Sequence, residues 1–354
     1  MRLSIRNFRG IKEGEINLKD LNILIGGNNS GKTTVLESLF LAPNPLRYVP
    51  YGENESVVSI LSSLHSTLGE AYAFLLHEYA SDSAIISCSG VTIEFRKENG
   101  WIEVFEEDEA NAYYIGSLDI NSRRENVGRE CVRASRDPES KKLRRTGDII
   151  DINPRFFIAK EIGETFYFHP SLMKDIWKYF RRHWVEFRGT GLPSKVAERV
   201  SEGIGERYDD LLLEPFRGGS QTMYVRRAKD AKGVRLGDMG HGFQIFATLL
   251  LLYEFKKPKI LMLDDIEAHI NPSLLMHIVS WFRDVLDEGT KIIISTHSLE
   301  VTKFISGVLD EYEPQITLLS LHDGILNTKN LSLEEIEDLE KAGIDARIGE
   351  GVLI

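Results

Sequence analysis

Apolar and polar positions along the chain fall into two regimes. At 21–25 (LNILI), 260–263 (ILML) and 292–294 (III) the residues are apolar without alternation. Such short runs predict strands buried on both faces. Around the last two, helical and strand patterns alternate over 242–255, 259–264, 273–286, 291–295, 298–308 and 315–320, which predicts a largely parallel α/β sheet. Residues 1–8 and 13–18 read as two strands around a turn, and Thr33 to Leu41 as a helix ended by Pro43.

The middle of the chain reads differently. Apolar positions at Val58, Leu61, Leu64, Leu68, Ala71, Leu75 and Tyr79 predict a helix across 55–80. Residues 84–115 alternate as a β-meander, with Asn99-Gly100 at a hairpin turn. Residues 119–150 are polar and charged and read as an exposed loop. Residues 171–213 carry helical patterning, and 222–236 a hairpin turning at Lys229 to Gly233. The expected organisation is a core made of 1–44 and 230–354, split by an insertion at 45–229. No apolar run reaches the ~18 residues that a membrane span needs; the longest, FATLLLL at 246–252, belongs to a helix.

Chemistry enters at the ends of the buried strands. Gly26-Gly27-Asn28-Asn29-Ser30-Gly31-Lys32-Thr33 follows the first run and satisfies Gly-x-x-x-x-Gly-Lys-[Ser/Thr]. Its glycines let the backbone curl so that N–H groups at Gly26, Asn28, Asn29, Ser30, Gly31, Lys32, Thr33 and Thr34 cradle phosphate oxygens. The helix that follows adds its positive end. Lys32 is placed to meet the β- and γ-phosphates, and Thr33 to hold Mg²⁺. Asp264 and Asp265 end the second run, and His297 closes the third. Gly240-His241-Gly242 sits in a glycine-rich turn opening an apolar helix.

Composition narrows the setting. A net charge of −11 argues against a surface that is basic all over. Two cysteines, Cys88 and Cys131, cannot build a disulfide framework, and no Cys/His cluster suggests zinc. With no secretion-signal pattern at Met1–Asn7, a cytoplasmic protein without membrane contact is expected.

These motifs, in this order, resemble the ABC-type ATPase head family, in the branch that holds SMC, double-strand-break-repair and OLD-type ATPases. Leu3-Ser4-Ile5-Arg6-Asn7-Phe8-Arg9-Gly10 is similar to the branch's opening, and Asp264-Asp265-Ile266-Glu267-Ala268-His269-Ile270-Asn271-Pro272 to its Asp-Glu-Pro-Glu-x-His-Leu-His-Pro. The likeness covers 1–42 and 234–300. It implies a P-loop NTPase of α/β class with a mixed, mostly parallel sheet, an antiparallel β subdomain and a helical lobe. It implies ATP and Mg²⁺ as cofactors. Asp264 takes the place of the carboxylate that orders Mg²⁺, Asp265 that of the group polarising the attacking water, and His297 that of the γ-phosphate switch. Gly240-His241-Gly242 takes the place of the signature turn, which in the family meets ATP held by a partner, so a head-to-tail homodimer follows.

The chain departs from that pattern at three places. Asp265 stands for a glutamate, Gly240 for the signature serine, and no glutamine precedes Gln221. Asn153 and His169 are the candidates for the missing Q-loop residue. Plainer roles stand beside each assignment: Asp265 as a turn-stabilising carboxylate, His297 as a strand-end polar residue, His241 as surface decoration, and His269 and His277 as helix-surface residues rather than ligands. Asn271-Pro272 is expected to start a helix.

Residues 123–145 hold nine cations (Arg123, Arg124, Arg129, Arg133, Arg136, Lys141, Lys142, Arg144, Arg145) and four acids. This local reversal of sign fits DNA phosphates or a solvated mixed-charge loop. The leading expectation is an ATPase whose dimerisation drives a partner protein or nucleic acid. The alternative is a slow ATP-gated clamp regulating a separate effector chain. A nuclease domain does not fit the 57 residues after His297, whose Glu334, Glu335, Glu337, Asp338 and Glu340 read as a solvated helix face.

Overall fold

The computed structural model describes residues 1–52, 54–65, 71–202, 205–219, 221–267, 270–345 and 347. The chain opens with a hairpin, β1 (Arg2–Phe8) and β2 (Ile11–Asn17), then β3 (Leu21–Ile25), the phosphate loop and α1 (Lys32–Leu41). All five residues of β3 are buried, as its unbroken apolar run requires. Next come α2 (Val57–His65) and a meander of β4 (Ser83–Cys88), β5 (Val91–Glu98), β6 (Trp101–Glu107) and β7 (Ala112–Asp119). It continues through β8 (Glu125–Asn126), β9 (Cys131–Arg136) and β10 (Leu143–Ile150) to β11 (Thr165–Phe168). A helical lobe follows: α3 (Met173–Arg182), α4 (Trp184–Thr190) and α5 (Leu192–Ser201). Strands β12 (Tyr208–Pro215), β13 (Gln221–Arg227) and β14 (Gly233–Arg235) form a small antiparallel sheet beside it. The chain then alternates α6 (His241–Lys256), β15 (Ile260–Leu263), α7 (Pro272–Asp287), β16 (Lys291–Ser295) and α8 (Leu299–Val308). It closes with β17 (Gln315–His322), β18 (Ile325–Leu331) and α9 (Leu333–Lys341).

The main sheet holds a parallel core in the order β17-β3-β16-β15-β11. It continues through β18, β2 and β1 into the antiparallel meander. Parallel pairing puts the C-terminal ends of β3, β16 and β15 side by side, where ligands of open α/β sheets bind. Helix α6 buries most of its residues, Leu249 to Leu252 among them. Each such leucine contributes ~2 kcal/mol on burial. Trp281 of α7 is enclosed by Phe246 and Tyr253, with ring centroids at 6.0 and 5.4 Å.

Three local expectations are corrected. The 55–80 helix is α2 alone, followed by short turns at Tyr72–Leu75 and His77–Tyr79; Leu68 lies outside the described residues. Glu78 and Tyr79 have φ of 52° and 59°, which no helix continues through. The expected loop at 119–150 is β8 to β10. Its order comes from cross-strand ion pairs, Arg136–Glu107 and Arg145–Glu103, and from continuing the meander, so apolar alternation is weak. Part of the 171–213 helical reading is β12, whose Leu211-Leu212-Leu213 suits either period. The short buried run Thr165–Phe168 is a strand, β11, although it falls within the span read as the insertion.

Two further local readings hold, the 222–236 hairpin and the helix start at Asn271-Pro272. The 222–236 hairpin is β13–β14. Asn271 caps α7 by accepting from the Leu274 N–H at 2.8 Å, with Pro272 first in the helix. Both cysteines are free and buried. Among the described residues no helix is long and apolar enough to cross a membrane.

Candidate nucleotide site

The phosphate loop is built by backbone geometry that few residues allow. Gly26 has φ +148° and lies so close to Leu319 that an added Cβ would stand 2.4 Å from its carbonyl oxygen. Gly31, the residue before α1, has φ +96°. Asn29 takes the left-handed region at φ 62°, which asparagine tolerates. Asn28 and Asn29 are exposed, while Ser30 is buried. Lys32 is 5% exposed, and its ammonium donates to the Gly26 and Gly27 carbonyls, each at 2.9 Å. It therefore stands over the mouth of the loop. Thr33 and Thr34 are half-buried in the first turn of α1.

Asp264 follows β15 and is 4% exposed. Its Oδ2 accepts from the Tyr167 hydroxyl at 2.8 Å, and its Oδ1 from the Ser295 hydroxyl. Ser295 also accepts from the Asp265 N–H at 2.9 Å, so one hydroxyl ties the two carboxylate positions together. Asp265 adopts φ 49°, a left-handed backbone that costs a non-glycine residue about 1 kcal/mol or more. That turn aims its side chain toward His297, whose Nε2 lies 3.5 Å from Asp265 Oδ1. Burial, and then the neighbouring Asp264, push the Asp265 carboxyl above its ordinary range.

Glu267 holds the segment at Thr296 and His297. It accepts from the Thr296 hydroxyl at 2.7 Å and from the His297 N–H at 2.6 Å. The Arg347 guanidinium donates to the His297 carbonyl. Ala268 and His269 lie outside the described residues. His277 is half-buried on α7.

The turn expected to act as the signature lies at the start of α6. Gly240 precedes α6, and both Gly240 and His241 are exposed while Gly242 is buried. Gln244 steadies the turn: its side-chain amide donates to the Met239 carbonyl at 2.8 Å and its N–H to the Gly240 carbonyl at 3.2 Å. A Cβ on Gly240 would meet nothing within 4 Å, so the absent serine is not a matter of space.

The family described as "AAA domain, putative AbiEii toxin, Type IV TA system" matches residues 21–302, well over half of the chain. The chain belongs to this AAA-domain family. A comparison with curated proteins finds no match. Among solved structures, the fold is similar to an Smc head bound to the C-winged helix domain of ScpA, at TM-score 0.51 and 15% identity, covering 95% of this chain and 98% of that one. It is also similar to the Smc head domain with a coiled coil and joint from Pyrococcus yayanosii, at TM-score 0.53 and 10% identity, covering 97% and 99%. The architecture is that of an ABC-type ATPase head, SMC-like.

Within this AAA-domain head the Q-loop candidates separate. Asn153 accepts from the Arg155 N–H at 2.9 Å and caps its own turn. His169 follows β11, beside Tyr167, and feels the charge of both Asp264 and Asp265. Its Nδ1 accepts from the Ser171 N–H at 3.2 Å, so the neutral ring carries its proton on Nε2. Burial lowers its pKa.

Tyr167, the anchoring role of Glu267, and Arg347 were not legible as site residues. Tyr167 lies in a four-residue strand without motif, and only sheet pairing brings it to Asp264. A further cavity of about 690 Å³ opens at the β1–β2 turn, lined among others by Arg9, His65, Phe74, His77 and Tyr79. Arg9 and His65 both contact Glu37, buried on α1 directly after the phosphate loop.

Proposed function

We propose that this head binds Mg²⁺-ATP and hydrolyses it between two copies arranged head to tail. The observation that carries the reading is the division of the site. The phosphate loop, the two aspartates and His297 share one edge of the parallel core. The turn at Gly240–Gly242, exposed at Gly240 and His241, is braced by Gln244, which donates to the Met239 and Gly240 carbonyls. That turn offers a helix N-terminus with outward N–H groups, suited to a γ-phosphate held by a second chain.

Lys32 and the loop N–H groups bind the phosphates. The cavity at Arg9, His65 and Phe74 takes the base. Thr33 and Asp264 would hold the Mg²⁺ that accompanies the nucleotide, Asp264 being oriented by the hydrogen bonds it accepts from Tyr167 and Ser295. Such oxygen donors suit a magnesium ion shared with phosphates. Among the described residues no group of three or more His, Cys, Asp or Glu could hold a metal unaided, which fits an ion brought with the nucleotide. When bound, such an ion would neutralise phosphate charge. Asp265 orients the attacking water, and His297, held by Glu267, senses the γ-phosphate. His169 fills the Q-loop place as a donor through Nε2–H.

The short reach of Asp265 favours slow turnover, hence an ATP-timed clamp acting on an effector protein or nucleic acid in the cytoplasm. DNA contact through 123–145 would rest on Arg124, Arg129, Arg133, Lys141 and Lys142, because Arg123, Arg136, Arg144 and Arg145 are paired with acids. The division into a core of 1–44 and 230–354 and an insertion at 45–229 is kept as a working boundary.

Asp265→Asn with Mg²⁺-ATP tests the dimer. Light scattering should give a mass near twice 40.2 kDa. A monomer with ATP demonstrably bound would remove the two-headed site.

A further inference from the structure

The helical lobe carries a groove that the nucleotide site does not use. Lys174, Lys178 and Arg181 recur at i, i+4 and i+7 along α3 and therefore share a face, with Trp177 among them. They form one wall of a cavity of about 260 Å³. The other wall includes Gln221 and Thr222 of β13 and Gln244 of α6. Among the described residues no carboxylate lines it. Lys178 pairs with Asp175 at 2.7 Å. Lys174 and Arg181 are exposed, and neither makes an ion pair or hydrogen bond among the described residues. On a chain of net charge −11, Lys174 and Arg181, with Lys178 beside them held by Asp175, mark this groove as a place for a polyanion.

The ring narrows the class of polyanion. Trp177 is half-buried, set edge-on against Phe180 at 5.5 Å, and still borders the groove. Cations spaced along one helix face track successive phosphates, while an indole beside them offers a surface for an unpaired base. Gln221, Thr222 and Gln244 add neutral hydrogen-bonding groups. We propose that this groove binds a single-stranded nucleic-acid segment, with phosphates on Lys174, Lys178 and Arg181 and a base against Trp177.

The groove also reaches the signature turn. Gln244 lines it and, from the same side-chain amide, donates to the Met239 carbonyl just before Gly240. A bound strand that engages Gln244 therefore bears on the turn offered to the second head. This coupling rests on the two-headed reading above; binding in the groove does not.

The test is fluorescence anisotropy of a labelled oligothymidylate with the full chain, without nucleotide, at several salt concentrations. Binding should weaken steeply with salt, and Lys174→Glu with Arg181→Glu should weaken it by about tenfold or more. The paired variant should bind ATP as the wild type does, since both residues are surface charges outside the nucleotide site. Trp177→Phe should keep the fold and remove the fluorescence quenching that accompanies binding. Serine at Arg124, Arg129, Arg133, Lys141 and Lys142 should leave binding unchanged. The proposal is overturned by absent binding at low salt, by equal binding of the charge variant, by poly-glutamate binding as tightly, or by duplex binding as tightly as single strand. Loss of binding in the serine variant instead would move the contact to the β9–β10 hairpin and overturn the groove. A chain that binds the strand but does not hydrolyse ATP would overturn the ATPase reading and leave the groove standing.

Discussion

Tyr167 donates its phenolic hydroxyl to Asp264 across 2.8 Å, reaching from the edge strand β11 to the end of its neighbour β15. Both residues are nearly inaccessible. The bond fixes the carboxylate proposed to order Mg²⁺. Tyr167→Phe keeps the ring and removes the donor. The buried Asp264 then loses one of the two side-chain donors it has among the described residues, at about 1–3 kcal/mol. Mg²⁺-ATP affinity should fall and the magnesium requirement rise, as titration calorimetry at several Mg²⁺ concentrations will read. Unchanged affinity would detach Asp264 from the ion.

Lys32 carries the phosphate loop's one side-chain cation, held by the carbonyls of Gly26 and Gly27. Lys32→Ala leaves phosphate charge without its ammonium in a nearly buried pocket. ATP affinity should drop at least tenfold, or about 1.4 kcal/mol. Equal affinities for mutant and wild type would sink the assignment of this loop.

The raised Asp265 carboxyl sets a pH dependence. Burial and Asp264 disfavour its charge, so it protonates at a higher pH than an ordinary aspartate. In the proposed role, the ionised form orients the attacking water. Turnover should therefore fall on acidification, beginning above the usual aspartate range, and Asp265→Asn should be slow throughout. A pH–kcat profile of the wild type, flat down to ordinary aspartate values, would refute this role.

Glu106 offers a stability test away from the site. It is 2% exposed on β6, and burial raises its pKa to about 8. A carboxyl raised in the folded state stays protonated there while the unfolded chain ionises above its ordinary value of 4.5. The folded state then binds more protons, so stability falls as pH rises from about 4.5 towards 8. Glu106→Gln should flatten that fall and stabilise the chain near pH 8 by up to a few kcal/mol. Denaturant melts at pH 5 and pH 8 will show whether the two proteins converge at the lower pH.

The sequence by itself determined the phosphate-loop motif and the buried strands around it, because those patterns are local. A phosphate loop needs glycines, a lysine and a threonine at fixed spacing, and LNILI before it can only be a strand buried on both faces. The aspartate pair and His297 end two further apolar runs, so their sharing of one sheet edge followed from parallel α/β packing. The tertiary structure alone decided what holds them. Tyr167 meets Asp264 only through the pairing of β11 with β15, 97 positions apart in the chain. Glu267 anchors His297 only because β15 and β16 are neighbours. Residues 119–150 looked like a loop because β9 and β10 are mostly exposed and held by ion pairs across the meander, contacts that leave no apolar period to read. The groove at α3 is likewise a matter of assembly. Its cations are legible as one helix face, and the wall they oppose comes from β13 and α6, many residues further along.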